Sequence, residues 1–477
     1  MGQEIPRTGF TQEDFRRCQD RLAEETAHLE AAAASGELRD GRYRAGFELE
    51  AWLVDHGGRP NPVNEAFLRR LGDPWVVQEL SRFNVELNGP PVTLGPGALR
   101  GMEDSLQRIW RRCQDVAHDM DTALAMVGIL PTLEPGELNL SNMSAMKRYV
   151  ALNREVQRQR GGRPIHIHIR GEESLELLQP DVMLEAATTS FQVHLQVPYA
   201  QAARHYNAAL ITCGPLLAAS GNAPLLFGRR LWQETRIPLF EQSVELGGFG
   251  GLADGSVRRV GFGLGYVDGA IVALYRENLT RFPILLPIPQ DGPVERYPQV
   301  RLHNGTIWRW VRPLVGFDDQ TGCHVRLEQR VLPSGPTVVD MVANAAFHFG
   351  LCHRLASMDR PPESLLGFGN ARDNFYDGAR HGLSAQLRWL GGEVHGARDL
   401  ILDTCLPLAG EGLAALGLEA GEADHYLGIV ERRVSSGRTG ARWQLDNLDR
   451  EHGDVVRMMA NYLANQHTGL PVHEWEI

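Results

Sequence analysis

YRAGFELEAWLVD, residues 43–55, is the stretch on which the reading of this chain turns. Before it the apolar residues recur three, four and seven apart. TQEDFRRCQDRLAEETAHLEAAAASGE offers Thr11 as an N-cap with Asp14 three residues on, then Phe15, Leu22 and Leu29, a helix ending near Gly36. At residue 43 the pattern becomes that of a buried strand, and HGGRPNPVN supplies the turn after it. Glu48 and Glu50 lie two apart on that strand, so both carboxylates point to one face.

Three later segments repeat the arrangement. RFNVELN (82–88) carries Glu86 with Asn88 in phase, and TTSFQVHLQV (188–197) carries His194 between Gln192 and Gln196. CHVRLEQRVLP places Glu328 between Arg326 and Arg330, again in phase. Ionisable groups on buried strand faces are costly unless opposite charge compensates them. Two neighbouring carboxylates raise one another's pKa, and a divalent cation removes that penalty. Carboxylates with one imidazole suit hard ions such as Mg²⁺ or Mn²⁺, and magnesium in turn suggests phosphate. Taken singly, each element has a plainer reading. A Glu-x-Glu pair is usually a solvated strand face, a strand histidine usually a satisfied core residue, and Glu328 between arginines a cross-strand charge ladder. The agreement of four strands favours the metal reading.

Composition excludes other chemistry. The 477 residues hold 48 Lys+Arg against 59 Asp+Glu, a net charge of −11, which argues for a soluble protein that repels nucleic acid. Lys147 is the only lysine, so there is no P-loop lysine and no Schiff base except there. Any phosphate must be held by arginine, backbone N–H groups or metal ions. Cysteines at 18, 113, 213, 323, 352 and 405 show no CxxC pair, which disfavours a zinc ribbon or a disulfide framework. The start, MGQEIPRTGF, resembles no signal peptide, and no apolar run approaches the ~20 residues of a spanning helix. The expectation is a reduced, cytoplasmic protein with no membrane partner.

Elsewhere, residues 98–127 keep apolar residues three and four apart and predict one long amphipathic helix. RPIHIHI (163–169) reads as a strand, 199–219 as a helix, and 337 to the end as mostly helical. The glycine-rich stretch 247–265 reads equally as a mobile loop over a site or as a linker.

GFELEAWLVD, NVELNGPP and FQVHLQV resemble the metal-binding strands of the glutamate–cysteine ligase family, in its bacterial and plant-like carboxylate–amine ligase branches. SGNAPLLFGRRLWQETR, RLEQRVLPSGPTVVDMVANAAFHFGL, NFYDGARHGL and RTGARWQ resemble later family segments, in the expected order from Phe47 to Gln444. The segment after FGRR departs from the family's usual Gly, Tyr and Ser, and the 247–265 stretch has no counterpart, which touches the substrate more than the chemistry.

The resemblance implies an α+β fold like glutamine synthetase. A curved, mainly antiparallel sheet would form a funnel, with helices packed outside and a helical C-terminal part. It divides the chain into an N-terminal helical segment (1–42), a catalytic domain (43–450, mostly helical from 337) and a C-terminal helix and tail (451–477). It implies Mg²⁺ (or Mn²⁺) on Glu48, Glu50, Glu86, His194 and Glu328, and ATP as co-substrate. Arg330, with Arg326 second to it, would face the transferring phosphoryl group. Arg236 would bind the substrate carboxylate, unless it is a surface residue at a helix end, and Arg442 the nucleotide. The implied reaction joins a glutamate-like carboxylate to an amine, cysteine being the default. A guanidino kinase, a peptide-modifying relative and an inactive nucleotide- or partner-binding member remain open, as does a homodimer.

Overall fold

The computed structural model describes residues 4–38, 41–246, 258–318 and 322–477. Its centre is an eight-stranded, antiparallel, curled sheet. The strands that matter are β1 (Arg44–Val54), β2 (Val76–Gln78), β3 (Asn84–Asn88), β4 (Val92–Thr93) and β5 (Ala123–Ala125). A separate hairpin of β6 (Ile165–Arg170) and β7 (Ser174–Gln179) follows, and β8 (Phe191–Gln196), β9 (Val311–Asp318) and β10 (Gly322–Gln329) complete the sheet. The spatial order is β9-β10-β8-β1-β3-β2, with β4 and β5 also paired to β1. Strands far apart in sequence are thus neighbours, and register rather than proximity in the chain decides which side chains meet.

The opening helix runs Gln12–Ser35 with the Thr11–Asp14 capping box and a left-handed Gly36 at its end, as the sequence predicts. The helix predicted over 98–127 stops at His118. Thr122 returns the chain into β5, whose Trp52↔Ala125 to Val54↔Ala123 register continues the far end of β1. Helical periodicity carried past a strand too short to show a period of its own. Of the glycine-rich stretch, residues 247–257 lie outside the described residues.

The convex side of the sheet is closed by helices buried on nearly every face. Ala202–Ser220 and Val338–Ala356 cross one another beneath it. A helix buried all round reads as continuously apolar, which is why neither shows a clear amphipathic stripe. Gly350 of the second meets the backbone of Gly412 and Ala409 on the helix Leu406–Ala415, so closely that a Cβ at either glycine would collide with a carbonyl oxygen. That contact seats the C-terminal helices. The tail is part of the same core, with Trp475 packed edge-on to Trp443 and Tyr462, and Gln466 bonded to Met126 N–H and Leu124 C=O. No described helix is long and apolar enough to cross a membrane.

These two helices also bury histidines. Burial drives His348 down to about 3 and His205, which faces His353 at 3.3 Å, down to about 4. Both stay neutral in the fold but protonate in the unfolded chain near 6.5. Below that pH the unfolded state binds more protons, so stability falls as pH drops from 6.5 toward the folded pKa. For His348 the loss at pH 5 is about 2 kcal/mol. The variant His348→Gln lacks this term. Urea unfolding at pH 7.5 and pH 5 is expected to show the wild type losing about 2 kcal/mol more than the variant between the two; an equal loss would contradict it.

Candidate active site

The concave face of the sheet carries the acidic strands, and register assembles them. Glu328 on β10 stands opposite both Arg312 on β9 and His194 on β8, while Glu50 on β1 stands opposite Glu86 on β3. The β1–β8 register puts Gly46 beside His194 and Glu48 beside Gln192. The alternating pleat therefore sends five side chains, from 280 positions of chain, onto one face.

With Glu79 as a sixth, they gather as two triads. Glu48, His194 and Glu328 each offer a ligand atom, all within 4.8 Å of one another, and so do Glu50, Glu79 and Glu86. In the first, His194 Nε2 lies 3.4 Å from Glu48 and 3.7 Å from Glu328. Burial pushes this imidazole down, toward its neutral form. Burial alone would raise Glu328, but Arg312 and Arg330 hold its carboxyl well below the usual range. Arg312 reaches both of its oxygens, at 2.7 and 3.1 Å, and Arg330 adds a third contact at 3.1 Å.

The second triad is compensated less, by Arg330 acting on Glu50 and Arg148 on Glu79. Glu50 accepts from Ser190 N–H at 2.7 Å and Gln192 Nε2 at 3.0 Å, and burial lifts its pKa to about 7, Arg330 pulling against and Glu86 adding to the rise. Glu86, buried beside Glu48 and Glu79, is raised well above the ordinary value, and burial with Glu50 nearby raises Glu79. Three carboxylates at contact distance favour a cation by the same electrostatics that raises their pKa values. Glu48 Oε2 and His194 Nε2 are buried with no hydrogen-bond partner among the described residues. Two carboxylates and an imidazole with unsatisfied atoms at the first triad, and three carboxylates at the second, fit a hard divalent ion.

Beside the second triad a cavity is lined by Glu50, Glu79, Glu185, Arg236, Trp310 and Arg330, among others. Arg330 donates to Gln192 and to Glu328, and its Nε has no hydrogen-bond partner among the described residues. Arg326 donates its Nε–H to His194 Nδ1 at 3.2 Å, which orients the imidazole and puts the proton of the neutral ring on Nε2, toward Glu48 and Glu328; a cation bound there takes that proton's place. Arg236 is buried at the start of the helix Arg236–Ser243, not on the surface. It donates to Glu234 at 3.1 Å and to the carbonyls of Arg330 and Val331, which braces the end of β10. Arg442 is not brought to the cavity: its side chain is 58% exposed on the helix Gly440–Arg450, paired with Asp446. Lys147 donates to the Pro6 carbonyl at 3.1 Å, away from the site.

Three site residues escaped the sequence reading. Glu79 follows the three-residue β2, and Glu185, pushed up to about 7 by burial and Glu50, sits in the 3-10 turn Val182–Ala187; neither position has a strand period to mark it. Arg312 did carry a signal, being a lone cation in phase with Trp310 and Leu314 on an apolar strand. Its pairing with Glu328 yields a test. Removing one partner of a buried pair strands the other, at a cost of about 3 kcal/mol or more. Arg312→Met is expected to lower unfolding free energy by that amount without added metal, and millimolar Mn²⁺ to restore part of it. An unchanged urea midpoint would show that the pair carries no such energy.

Residues 44–461 match the family model of glutamate–cysteine ligase family 2. No curated protein matches the chain by sequence. Among solved structures, the glutamate–cysteine ligase of Francisella tularensis in complex with AMP superposes with a TM-score of 0.54 at 11% identity, over 92% of this chain and 96% of that one. A bifunctional glutathione synthetase from Pasteurella multocida gives 0.52 at 13% identity, over 92% of this chain and 54% of that one. These likenesses support the fold, and the family match covers the sheet and both triads. The chain belongs to glutamate–cysteine ligase family 2 and is an ATP-dependent ligase that joins a carboxylate to an amine.

Proposed function

We propose that the carboxylate is the side-chain carboxylate of a glutamate-like donor, activated by ATP with Mg²⁺ or Mn²⁺ on the two triads, and that cysteine, which the family name supplies, is the first acceptor to assay. The observation that carries this reading is the meeting of Glu48, His194 and Glu328 with Glu50, Glu79 and Glu86 on one concave face, beside Arg330.

The chemistry demands such a site. A carboxylate does not acylate an amine in water, because its leaving group would be oxide. In the proposed sequence a donor oxygen attacks the γ-phosphorus of ATP, and the bond to the bridging oxygen breaks to release ADP. The amine nitrogen then bonds to the acyl carbon, the carbon–oxygen bond to phosphate breaks, and the amine proton passes to water. Phosphoryl transfer depends on positioning and charge neutralisation. The divalent ions would supply neutralisation of the triphosphate where other folds use a lysine loop. From this chain, Glu48, His194 and Glu328 would hold one ion, and Glu50, Glu79 and Glu86 the other. Arg330, its Nε free in a buried cavity, would meet the transferring phosphoryl oxygens. Arg312 fixes Glu328, Arg326 turns the His194 ring, and Arg236 keeps the backbone beside Arg330 in place. Glu185 adds a further carboxylate to the wall, suited to an approaching ammonium group.

Changing Glu328 to Gln is expected to cost about 3 kcal/mol or more of transition-state stabilisation, over a hundredfold in amine-dependent ADP release. Glu86→Gln is expected to abolish the rise in melting temperature that Mn²⁺ gives the wild type. Turnover of the first variant within a few-fold of wild type, in protein melting normally, would refute the ligand assignment.

A further inference from the structure

The cavity beside Arg330 contains one carboxylate that the metal reading leaves unused. Glu185 falls outside both triads. It is fixed in the 3-10 turn Val182–Ala187, which Asp181 caps by accepting from Met183 N–H at 3.0 Å, and the Thr188 hydroxyl donates to the Glu185 carbonyl at 2.8 Å. The neighbouring acids on that wall are bonded: Glu50 accepts from Ser190 N–H at 2.7 Å and Glu79 from Leu80 N–H at 3.1 Å. Glu185 Oε2 is buried and has no hydrogen-bond partner among the described residues. Burial, the repulsion of Glu50 and the attraction of Arg330 and Arg148 are what act on this carboxylate.

Asn84 supplies an unspent donor. It lies in phase with Glu86 on β3 and lines the same cavity, 3% exposed. The Ser81 hydroxyl donates to Asn84 Oδ1, so the amide nitrogen is the other end, and Nδ2 has no partner among the described residues. Much of the remaining wall is committed. Arg236 bonds Glu234 and two carbonyls, the Thr189 hydroxyl donates to the Val127 carbonyl, and the Trp310 indole donates to Glu241 at 2.9 Å. Among the described residues that line the cavity, the buried atoms left without a partner are Glu185 Oε2, Asn84 Nδ2 and Arg330 Nε. Buried polar groups left unpaired are costly, and a ligand with matching groups removes that cost.

Their chemistry defines a complement. The carboxylate calls for a cation, the amide N–H for an oxygen, and Arg330 for the reacting carboxylate and the phosphoryl group it attacks. A molecule with an ammonium group and a carboxylate at one end and a reactive carboxylate at the other meets all three. The cavity encloses about 50 Å³, which at roughly 10–15 Å³ per water admits about four water-sized groups, too few for a nucleoside or a peptide. Glu185, Asn84 and Arg330 line this one cavity, so no wall stands between the ammonium end and the phosphoryl end. We propose that Glu185 selects the donor by its ammonium group, with Asn84 Nδ2 on the carboxylate beside it, so that the donor is an α-amino acid with a side-chain carboxylate and not a plain dicarboxylate. The assignment rests on the ligase reading, and it gives to Glu185 and Asn84 the recognition that the sequence resemblance implied for Arg236.

The test uses the full chain with ATP and Mg²⁺, and compares glutamate as donor with glutarate, which lacks only the ammonium group. ADP release is read with cysteine and with hydroxylamine as acceptors. The wild type is expected to show kcat/KM at least tenfold higher for glutamate. Glu185→Gln keeps the shape of the side chain and sheds an unpaired buried charge, so it should melt no lower than the wild type. It should lower kcat/KM for glutamate at least tenfold and leave the KM of the acceptor unchanged. Asn84→Asp keeps the oxygen that Ser81 bonds and exchanges the free N–H for an anion. Its KM for glutamate should rise at least tenfold with the Mn²⁺-induced rise in melting temperature retained; loss of that rise would remove Asn84 from the assignment. Equal use of glutarate, glutamate turnover within threefold of wild type in Glu185→Gln, a proportional loss of glutarate turnover, or an effect confined to the acceptor's KM would overturn it. If neither donor releases ADP with either acceptor, the ligase reading itself fails. Calorimetry then judges the cavity alone: glutamate bound at least tenfold tighter than glutarate, with the margin lost in Glu185→Gln, supports an ammonium site, and equal or absent binding removes it.

Discussion

Like charges buried together are the constraint that the rest of this molecule obeys. Glu48 and Glu328 gather with His194 in one cluster and Glu50, Glu79 and Glu86 in a second, and Glu50, Glu79 and Glu185 line one cavity, where little water screens them. The sheet is what makes them converge, since its cross-strand pairs are fixed by backbone hydrogen bonds and by an apolar convex face that a one-residue slip would expose. Two fully buried helices close that face, and the glycine contact between Gly350 and Gly412 locks the C-terminal helices behind them. The core thus holds in place an arrangement that its own electrostatics would disperse.

Compensation is uneven, and the unevenness is informative. On one side Arg312 and Arg330 already neutralise Glu328, and His194 is neutral. On the other, Glu50, Glu79 and Glu86 face one another with their pKa values raised, a set that in the metal-free state keeps protons or recruits a cation. A folded state that binds a cation the unfolded chain does not bind is stabilised by mass action, so the site's cost in stability is recoverable. Function and folding therefore share one electrostatic account.

Much of this was legible in the sequence because strands write their faces with period two. Glu48 and Glu50 on β1, Glu86 on β3, His194 on β8 and Glu328 on β10 were all marked by alternation, and the structure places them on one sheet face in two clusters, Glu48, His194 and Glu328 in one and Glu50 and Glu86 with Glu79 in the other. The curled antiparallel sheet and its helical shell were legible from the same strands and from the family motifs. What was not legible depended on contacts without local pattern. Glu79 and Glu185 sit just outside regular strands, and the end of the 98–118 helix was hidden because β5 is three residues long. Arg236 and Arg326 were assigned to ligands, whereas their guanidinium groups are committed to Glu234, backbone carbonyls and His194. Sequence marks a cation on a strand but not which of its neighbours it will spend its hydrogen bonds on.

The most direct test of the central claim is anomalous X-ray scattering from crystals of the full chain equilibrated with Mn²⁺ and a non-hydrolysable ATP analogue. Two manganese peaks, one among Glu48, His194 and Glu328 and one among Glu50, Glu79 and Glu86, are the expected result. Manganese found only at surface carboxylates, with both triads empty, would contradict the account.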